Sequence, residues 1–456
     1  MIKGQLKTIQ TMVNGTGLEQ RFESISIEGV TIDSRNVTKG NLYIPMIGQR
    51  ADGHDFFTSA LDAGASAILW QKDRPNPPTD VPLIFVENTL TALQQLAVAY
   101  KEACGMKVVG ITGSNGKTST KDILASILAT TYKVHKTPGN FNSEFGMPLT
   151  LLMAPVDTEI AVLEMGMRGL GQIKLLSQLA KPDVAVITCI GEAHIEELGS
   201  RHNISIAKYE ITSGLSDDGL FVYHGDEPLL HERINESRPN FQMISFGEDV
   251  HNPYHLKSID IDNHGMKFSI PDSDLTFHLS VLGKHNVMNS LAAMAVARHF
   301  DLTFDAIKKG LAQVEMSKMR MEIRHSNHGL MIIDDTYNSS PTSVRATLDL
   351  LYTLTGYNKK IVVLADMLEL GEHSVNYHKD VGEAVDSKKV DVLFTYGPLS
   401  KYTSETSNVL VTQHFDDKIQ LAQTLFEVSA AGDVCLVKGS RGMALEDVIH
   451  ALCTSS

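Results

Sequence analysis

Only four cysteines occur in 456 residues (Cys104, Cys189, Cys435 and Cys453), far apart and without a CxxC pair. That spacing indicates neither a disulfide framework nor a thiolate metal site, and it fits a reducing cytosol. No uninterrupted apolar stretch of about 18 residues occurs, and residues 1–20 lack the apolar segment of a secretion signal. Secretion and membrane insertion are therefore not expected, and the cytoplasm is the expected location. Cationic excess is missing too: 40 Lys plus Arg stand against 54 Asp plus Glu, a net charge of −14. That balance argues against nucleic acid or anionic lipid as the main partner and leaves room only for a local cationic pocket. What is present is ordinary globular material, 43% hydrophobic and 21% charged, with no composition that signals disorder.

At roughly 150 residues per domain, a chain of this length suggests three domains. The first, residues 1–104, alternates short apolar runs (VTIDSR, NLYIPM, AILW, PLIFVE) with helical patterns over residues 53–64 and TLTALQQLAVAYKEA, a small α/β unit. Its stretch RPNPPTDVP carries four prolines and must be a loop, because proline neither donates to a ladder nor continues a helix. In the second, residues 105–315, KVVGIT, YKVHKT, IAVLEMG, VAVITCI and LFVYHG alternate with helices, which predicts a largely parallel sheet covered on both faces. Short alternating strands over residues 257–282 are expected to form an antiparallel edge of it. The third, residues 316–456, repeats the alternation with LMIIDDT, KIVVLAD, DVLFTYG and DVCLVKG. It reads as a Rossmann-like α/β domain, but no GxGxxG follows any of its strands, so a dinucleotide cradle is missing.

The strand KVVGIT runs directly into Gly113, Ser114, Asn115, Gly116, Lys117 and Thr118 and then into a helical pattern. Glycines let successive N–H groups curl around phosphate oxygens and the helix start adds positive potential. The lysine reaches the terminal phosphates and the threonine can ligate magnesium. The loop is the short form G-x-x-G-K-T. Magnesium bound beside a nucleoside triphosphate needs oxygen ligands from neighbouring strand ends. Glu164, the only charge in LEMGM, stands at such an end. His194 follows the next strand, where a lone histidine is more often a hydrogen-bonded loop residue. Lys208 adjoins the apolar stripe of Ile204, Ala207, Ile211 and Leu215, a position that by itself suits a snorkelling lysine.

The strings TGSNGKTSTKD, TPGNFNSEFGMPLT, LEMGM, GEAH, AKYEIT, GKHNVMN, MRME, DDTYNSSPTS and VLADMLELGEHS, in this order along the chain, closely resemble the Mur ligase family. Within it they are most similar to the member that adds D-alanyl-D-alanine to UDP-N-acetylmuramoyl-tripeptide. The DNPR string typical of the member adding the third amino acid does not occur. The resemblance implies an ATP- and Mg2+-dependent amide ligase of peptidoglycan synthesis, usually monomeric, working through an acyl phosphate. It implies a uridine-binding N-terminal domain with Ser34 and Arg35 near the UDP, and Asn140 and Asn142 in a loop on the muramoyl nucleotide, although both also suit an ordinary turn. Glu164 and His194 become magnesium ligands, and Lys208 becomes a carbamylated lysine facing the metal. Asn286, Asn289 and Asp335 would contact the nucleotide, and Arg320 would reach its γ-phosphate from a hinge near residues 315–320. Residues 438–443 (KGSRGM) would face the dipeptide or the peptide carboxylate. Ser143, and Ser339 with Ser340, depart from the family's usual asparagine and Ala-Asn. A folate-type glutamate ligase shares the short loop, but the segment DSR…YIPMIG…DGHDFF has no counterpart in it. A nucleotide-binding subunit without ligase activity would be expected to lack a metal or carbamate residue.

Overall fold

In the computed structural model, residues 1–262 and 265–454 are described. The N-terminal strands Val30–Thr31, Leu42–Tyr43, Ala67–Gln71 and Leu83–Val86 form a parallel sheet in that order. The helix Thr89–Cys104 follows, started by the Asn88 side chain, which accepts from the Thr91 amide, and ended by Gly105 in the left-handed region. Leu93 and Leu96 on its inner face are fully buried. At roughly 1.5–3 kcal/mol per buried leucine side chain, this face holds the helix down. The same helix reaches the next domain: the Tyr100 hydroxyl donates to the Ala154 carbonyl and the Lys101 ammonium to the Ala180 carbonyl. One apolar cluster runs through both domains without a break.

Seven strands make the central sheet, in the order Tyr254–His255, Gln242–Gly247, Leu220–His224, Val184–Ile187, Lys107–Thr112, Ile160–Glu164, Val134–Lys136. Every pairing is parallel, so the strand ends that face a ligand all lie on one side. Thr112 pairs with Ile187, and Ile111 with Glu164. The phosphate-loop strand is therefore flanked by the two strands that lead to Glu164 and His194.

The antiparallel strands are corrected by the structure. Ser258–Asp262, Gly265–Ser269 and Phe277–Leu279 form a separate three-stranded sheet, not the edge of the central one. Met266, Phe268, Phe277 and Leu279 bury one face of it in the core shared with Ile127 and Leu311. The true edge, Gln242–Gly247 with Tyr254–His255, is parallel and half exposed, so its hydrophobic pattern is weak.

The C-terminal sheet has six strands in the order Glu322–His325, Met331–Asp335, Val434–Lys438, Lys360–Ala365, Val392–Tyr396, Val411–Phe415. Only the first pairing is antiparallel. Asp335 and Lys438 are register partners at the ends of adjacent strands. The helix Pro341–Thr353 starts in a capping box between Ser340 and Ser343 with proline in its first turn. Residues 455 and 456, within the expected third domain, lie outside the described residues. No helix among the described residues is long and apolar enough to cross a membrane.

Candidate active site

The phosphate loop has the local structure its chemistry needs. Gly116 takes φ 81° just before the helix Lys117–Leu128, whose first amides carry no side-chain cap. A Cβ at Gly116 would stand 2.6 Å from Asn289 Oδ1, so glycine is required there both by backbone and by space. Unclaimed amides at a helix start are an anion site. Lys117 folds back on the loop, its Nζ donating to the Gly113 carbonyl at 2.7 Å. Burial pushes its ammonium below the usual lysine range, Glu164 opposes this and Arg320 adds to it.

Thr118 and Glu164 are joined: the threonine hydroxyl donates to Glu164 Oε2 at 2.7 Å. Glu164 is only 3% exposed, and its other oxygen accepts from Asn142 Nδ2 at 2.8 Å. Its backbone amide donates to Thr137 Oγ1 at 2.9 Å. Asn142 thus stands on the glutamate, a contact that the sequence reading of a substrate loop does not include. Asn140, two residues away, is exposed.

Lys208 lies on the helix Arg201–Tyr209, capped by Ser200, and is 1% exposed. The snorkelling reading is therefore corrected: the amine points inward, and no hydrogen bond or ion pair among the described residues reaches it. Burial pushes its ammonium far below the usual lysine range, and Lys117 adds to the effect. His194 takes φ 67°. Its Nδ1 lies 2.8 Å from Glu369 Oε2 of the C-terminal domain, out of line for a hydrogen bond. The contact holds the Glu369 carboxyl below its ordinary range.

The C-terminal domain closes against the loop at further points. Asn115 Nδ2 lies 3.3 Å from Ser340 Oγ, and the Thr342 hydroxyl donates to Glu192 Oε2 at 2.6 Å. Ser340, one of the departures from the family pattern, thus both caps a helix and touches the phosphate loop. The Arg320 guanidinium lies over the Tyr337 ring, 4.1 Å from its centre, near enough to Lys117 and Asp335 to bias the protonation of both. Asp335 pairs with Lys438, whose ammonium also donates to the Asn338 carbonyl. Burial pushes the Asp335 carboxyl up, but Lys438, then His285 and Arg320, outweigh it and hold it low. Asn286 Nδ2 donates to the Leu282 carbonyl, and Asn289 Nδ2 to Asn286 Oδ1 at 3.2 Å.

Loop, Thr118, Glu164, Asn142 and Asn289 therefore stand together, with Arg320, Asp335 and Lys438 beside them. Ser34 and Arg35 do not join them: Arg35 is clipped to Asp33, and Ser34 sits beside Tyr43, both within the N-terminal domain. Sequence reasoning missed Lys121 and Asp122, buried inside the loop helix at 1% exposure each. The signal was available, since two adjacent charges directly after GKTST fall in a helix that packs on every side. It also missed Glu369, which only the fold brings to His194.

Hard oxygen donors at Thr118 and Glu164, beside uncapped helix amides, suit a magnesium ion with a triphosphate. Fold and site define a P-loop enzyme that binds a nucleoside triphosphate between a central parallel-sheet domain and a C-terminal α/β domain. Three family models match in order: Mur ligase family, catalytic domain, over residues 26–101; Mur ligase middle domain over 111–297; and Mur ligase, glutamate ligase domain, over 319–441. The chain is 45% identical to the UDP-N-acetylmuramoyl-tripeptide--D-alanyl-D-alanine ligase of Bacillus subtilis (strain 168), over 100% of this chain and 99% of the relative. With the enzyme of the same name from Escherichia coli (strain K12) it shares 33% over 99% of both chains. The crystal structure of MurF from Acinetobacter baumannii superposes with a TM-score of 0.90 at 28% identity, covering 100% of both chains. That of the Thermotoga maritima MurF ligase in complex with ADP does so with 0.83 at 32% identity, over 93% of this chain and 97% of that one. The chain belongs to the Mur ligase family.

Proposed function

We propose that the protein is an ATP-dependent ligase that joins D-alanyl-D-alanine to UDP-N-acetylmuramoyl-tripeptide, acting as a monomer in the cytoplasm. The observation that carries this reading is the Thr118–Glu164 pair at the phosphate loop, faced by Arg320 and Asp335 from the third domain. The substrates follow from full-length similarity to ligases of that name. Residues 1–104 are assigned to the uridine nucleotide with Ser34 and Arg35, residues 105–315 to ATP, and residues 316–456 to the dipeptide. Asn140 and Asn142 are assigned to the loop over the muramoyl nucleotide, and Asn142 serves the metal side of it.

In this reading the γ-phosphoryl group passes from ATP to the tripeptide's terminal carboxylate, breaking the β–γ bridge and forming an acyl phosphate. The dipeptide amine attacks the acyl carbon, loses a proton, and expels phosphate to leave the amide. Lys117 leaves the Gly113 carbonyl for the β- and γ-phosphate oxygens, and the loop amides from Gly113 to Thr118 hold the rest. Arg320 offers its planar fork to the transferring group, where charge spreads over three oxygens. Asn286 orients Asn289 against the loop, and Asp335 keeps Lys438 in place beside the nucleotide. Magnesium held by Thr118, Glu164, His194 and Lys208 would neutralise phosphate charge, with Lys208 carrying a carbamate. The third domain excludes water from the activated carbonyl. Purified protein with ATP and magnesium should release ADP only when both UDP-N-acetylmuramoyl-tripeptide and D-alanyl-D-alanine are present. Release with neither, or with glutamate in place of the dipeptide, would overturn the assignment.

A further inference from the structure

The linker that delivers Arg320 is fastened at both ends. On the central side, the Asp122 carboxylate takes two hydrogen bonds from Ser317, 2.9 Å from its amide and 2.7 Å from its hydroxyl, both on Oδ2. Its other oxygen lies 2.6 Å from Lys136 Nζ and 3.6 Å from Lys121 Nζ. Lys121 donates to the Thr137 carbonyl at 2.9 Å, and Thr137 Oγ1 accepts the Glu164 amide at 2.9 Å. A continuous polar chain thus runs from the strand end that carries Glu164 to the linker. On the other side, the Met319 amide donates to Glu322 Oε2 at 2.9 Å and its carbonyl accepts from the Tyr337 amide at 3.2 Å. Between these anchors the two residues flanking Arg320 are left-handed, Met319 at φ 62° and Met321 at φ 55°. Methionine does not adopt that region on its own account, so surrounding contacts impose it.

We propose that Asp122 and Ser317 form a latch that positions Arg320, making both of them positioning residues for phosphoryl transfer. The proposal rests on the ligase reading, in which Arg320 serves the γ-phosphate. Its physical content is that Ser317, three residues before the arginine, is clamped to the same helix that begins with Lys117 and Thr118. Movement of the loop helix therefore moves the arginine. Burial pushes the Asp122 carboxyl up, and Lys121, Lys136 and Ser317 outweigh it, so the acceptor stays charged.

The test uses the full-length enzyme and ADP release at saturating substrates. Ser317→Ala removes one hydrogen bond to a carboxylate and should lower kcat about tenfold, while ADP binding, which involves no γ-phosphate, stays unchanged. Ser317→Thr keeps the hydroxyl and should restore kcat. In an Arg320→Ala background, Ser317→Ala should cost nothing more, because residues acting through one group are not additive. Unchanged kcat in Ser317→Ala, or equal losses in both backgrounds, overturns the latch. If Ser317→Ala does not fold, Asp122→Asn, an isostere without the charge, is read by the same two criteria. A wild-type enzyme that releases ADP without its substrates would refute the ligase reading instead. A wild type that requires both, beside a fully active Ser317→Ala, refutes the latch alone.

Discussion

Replacing Asn142 by alanine separates two roles for one residue. The resemblance read from the sequence proposes Asn142 for the loop over the muramoyl nucleotide, whereas its amide stands 2.8 Å from Glu164 Oε1. Glu164 is 3% exposed, so water does not replace a lost donor freely. A hydrogen bond to a charged group contributes about 1.5–3 kcal/mol, and each 1.36 kcal/mol is tenfold, which predicts a loss of roughly 10- to 100-fold. Residues that orient a metal ligand typically cost about the same when removed. The loss should fall on magnesium: titrating the metal at saturating ATP and substrates should shift the half-activating concentration upward in Asn142→Ala. KM for UDP-N-acetylmuramoyl-tripeptide should move far less. A raised KM for that substrate with an unchanged magnesium titration would refute the reasoning and return Asn142 to the substrate loop alone.

Two further predictions concern buried lysines. Lys208→Ala should abolish ADP release, and short carboxylic acids should restore part of it by supplying the missing anion; near-normal activity without added acid would exclude the carbamate. Lys438→Met should destabilise the C-terminal domain by about 1.5–3 kcal/mol, since the half-buried Asp335 carboxylate would lose its charged partner, and a thermal melt would show it. The pH dependence has a definite sign. The folded Asp335 carboxyl is held low, so its stabilising share is complete above the unfolded value of about 3.9 and is lost as pH falls through the lower folded value. Lys438→Met should remove that acid-side loss, and an unaltered acid limb would contradict the pairing.

Much of the fold was legible because periodicity and punctuation agreed. The strands ending at Thr112, Glu164 and Ile187 are continuous β-rich runs, each followed by a helix, and the loop between Gly113 and Thr118 has one plausible use there. Edge strands were not legible. Glu322–His325 and Val411–Phe415 are half exposed and mixed in polarity, so nothing in their pattern sets them apart from loop. The pairing of Asn142 with Glu164 and of His194 with Glu369 spans loops and domains, and spacing along the chain carries no trace of either. Lys208 shows a different failure. Its place beside an apolar stripe allows both an outward and an inward amine, and only the packing of the Arg201–Tyr209 helix decides for the inside.

The distribution of charge then explains how an acidic protein handles polyanions. The chain carries −14 overall, yet Lys117, Lys121, Lys208, Arg320 and Lys438 gather near the loop against Glu164, Asp122 and Asp335. Surface carboxylates more than about 8 Å from the site are screened at physiological salt, whereas these cations are buried or half-buried and are screened much less. Affinity for two polyanions must therefore arise at short range, after entry. A charged Lys208 fits poorly in its buried place beside Lys117, since like charges in a low-dielectric site repel strongly. On the carbamate proposal, converting that one amine into an anion would reverse its sign and leave Lys117 and Arg320 to the phosphates.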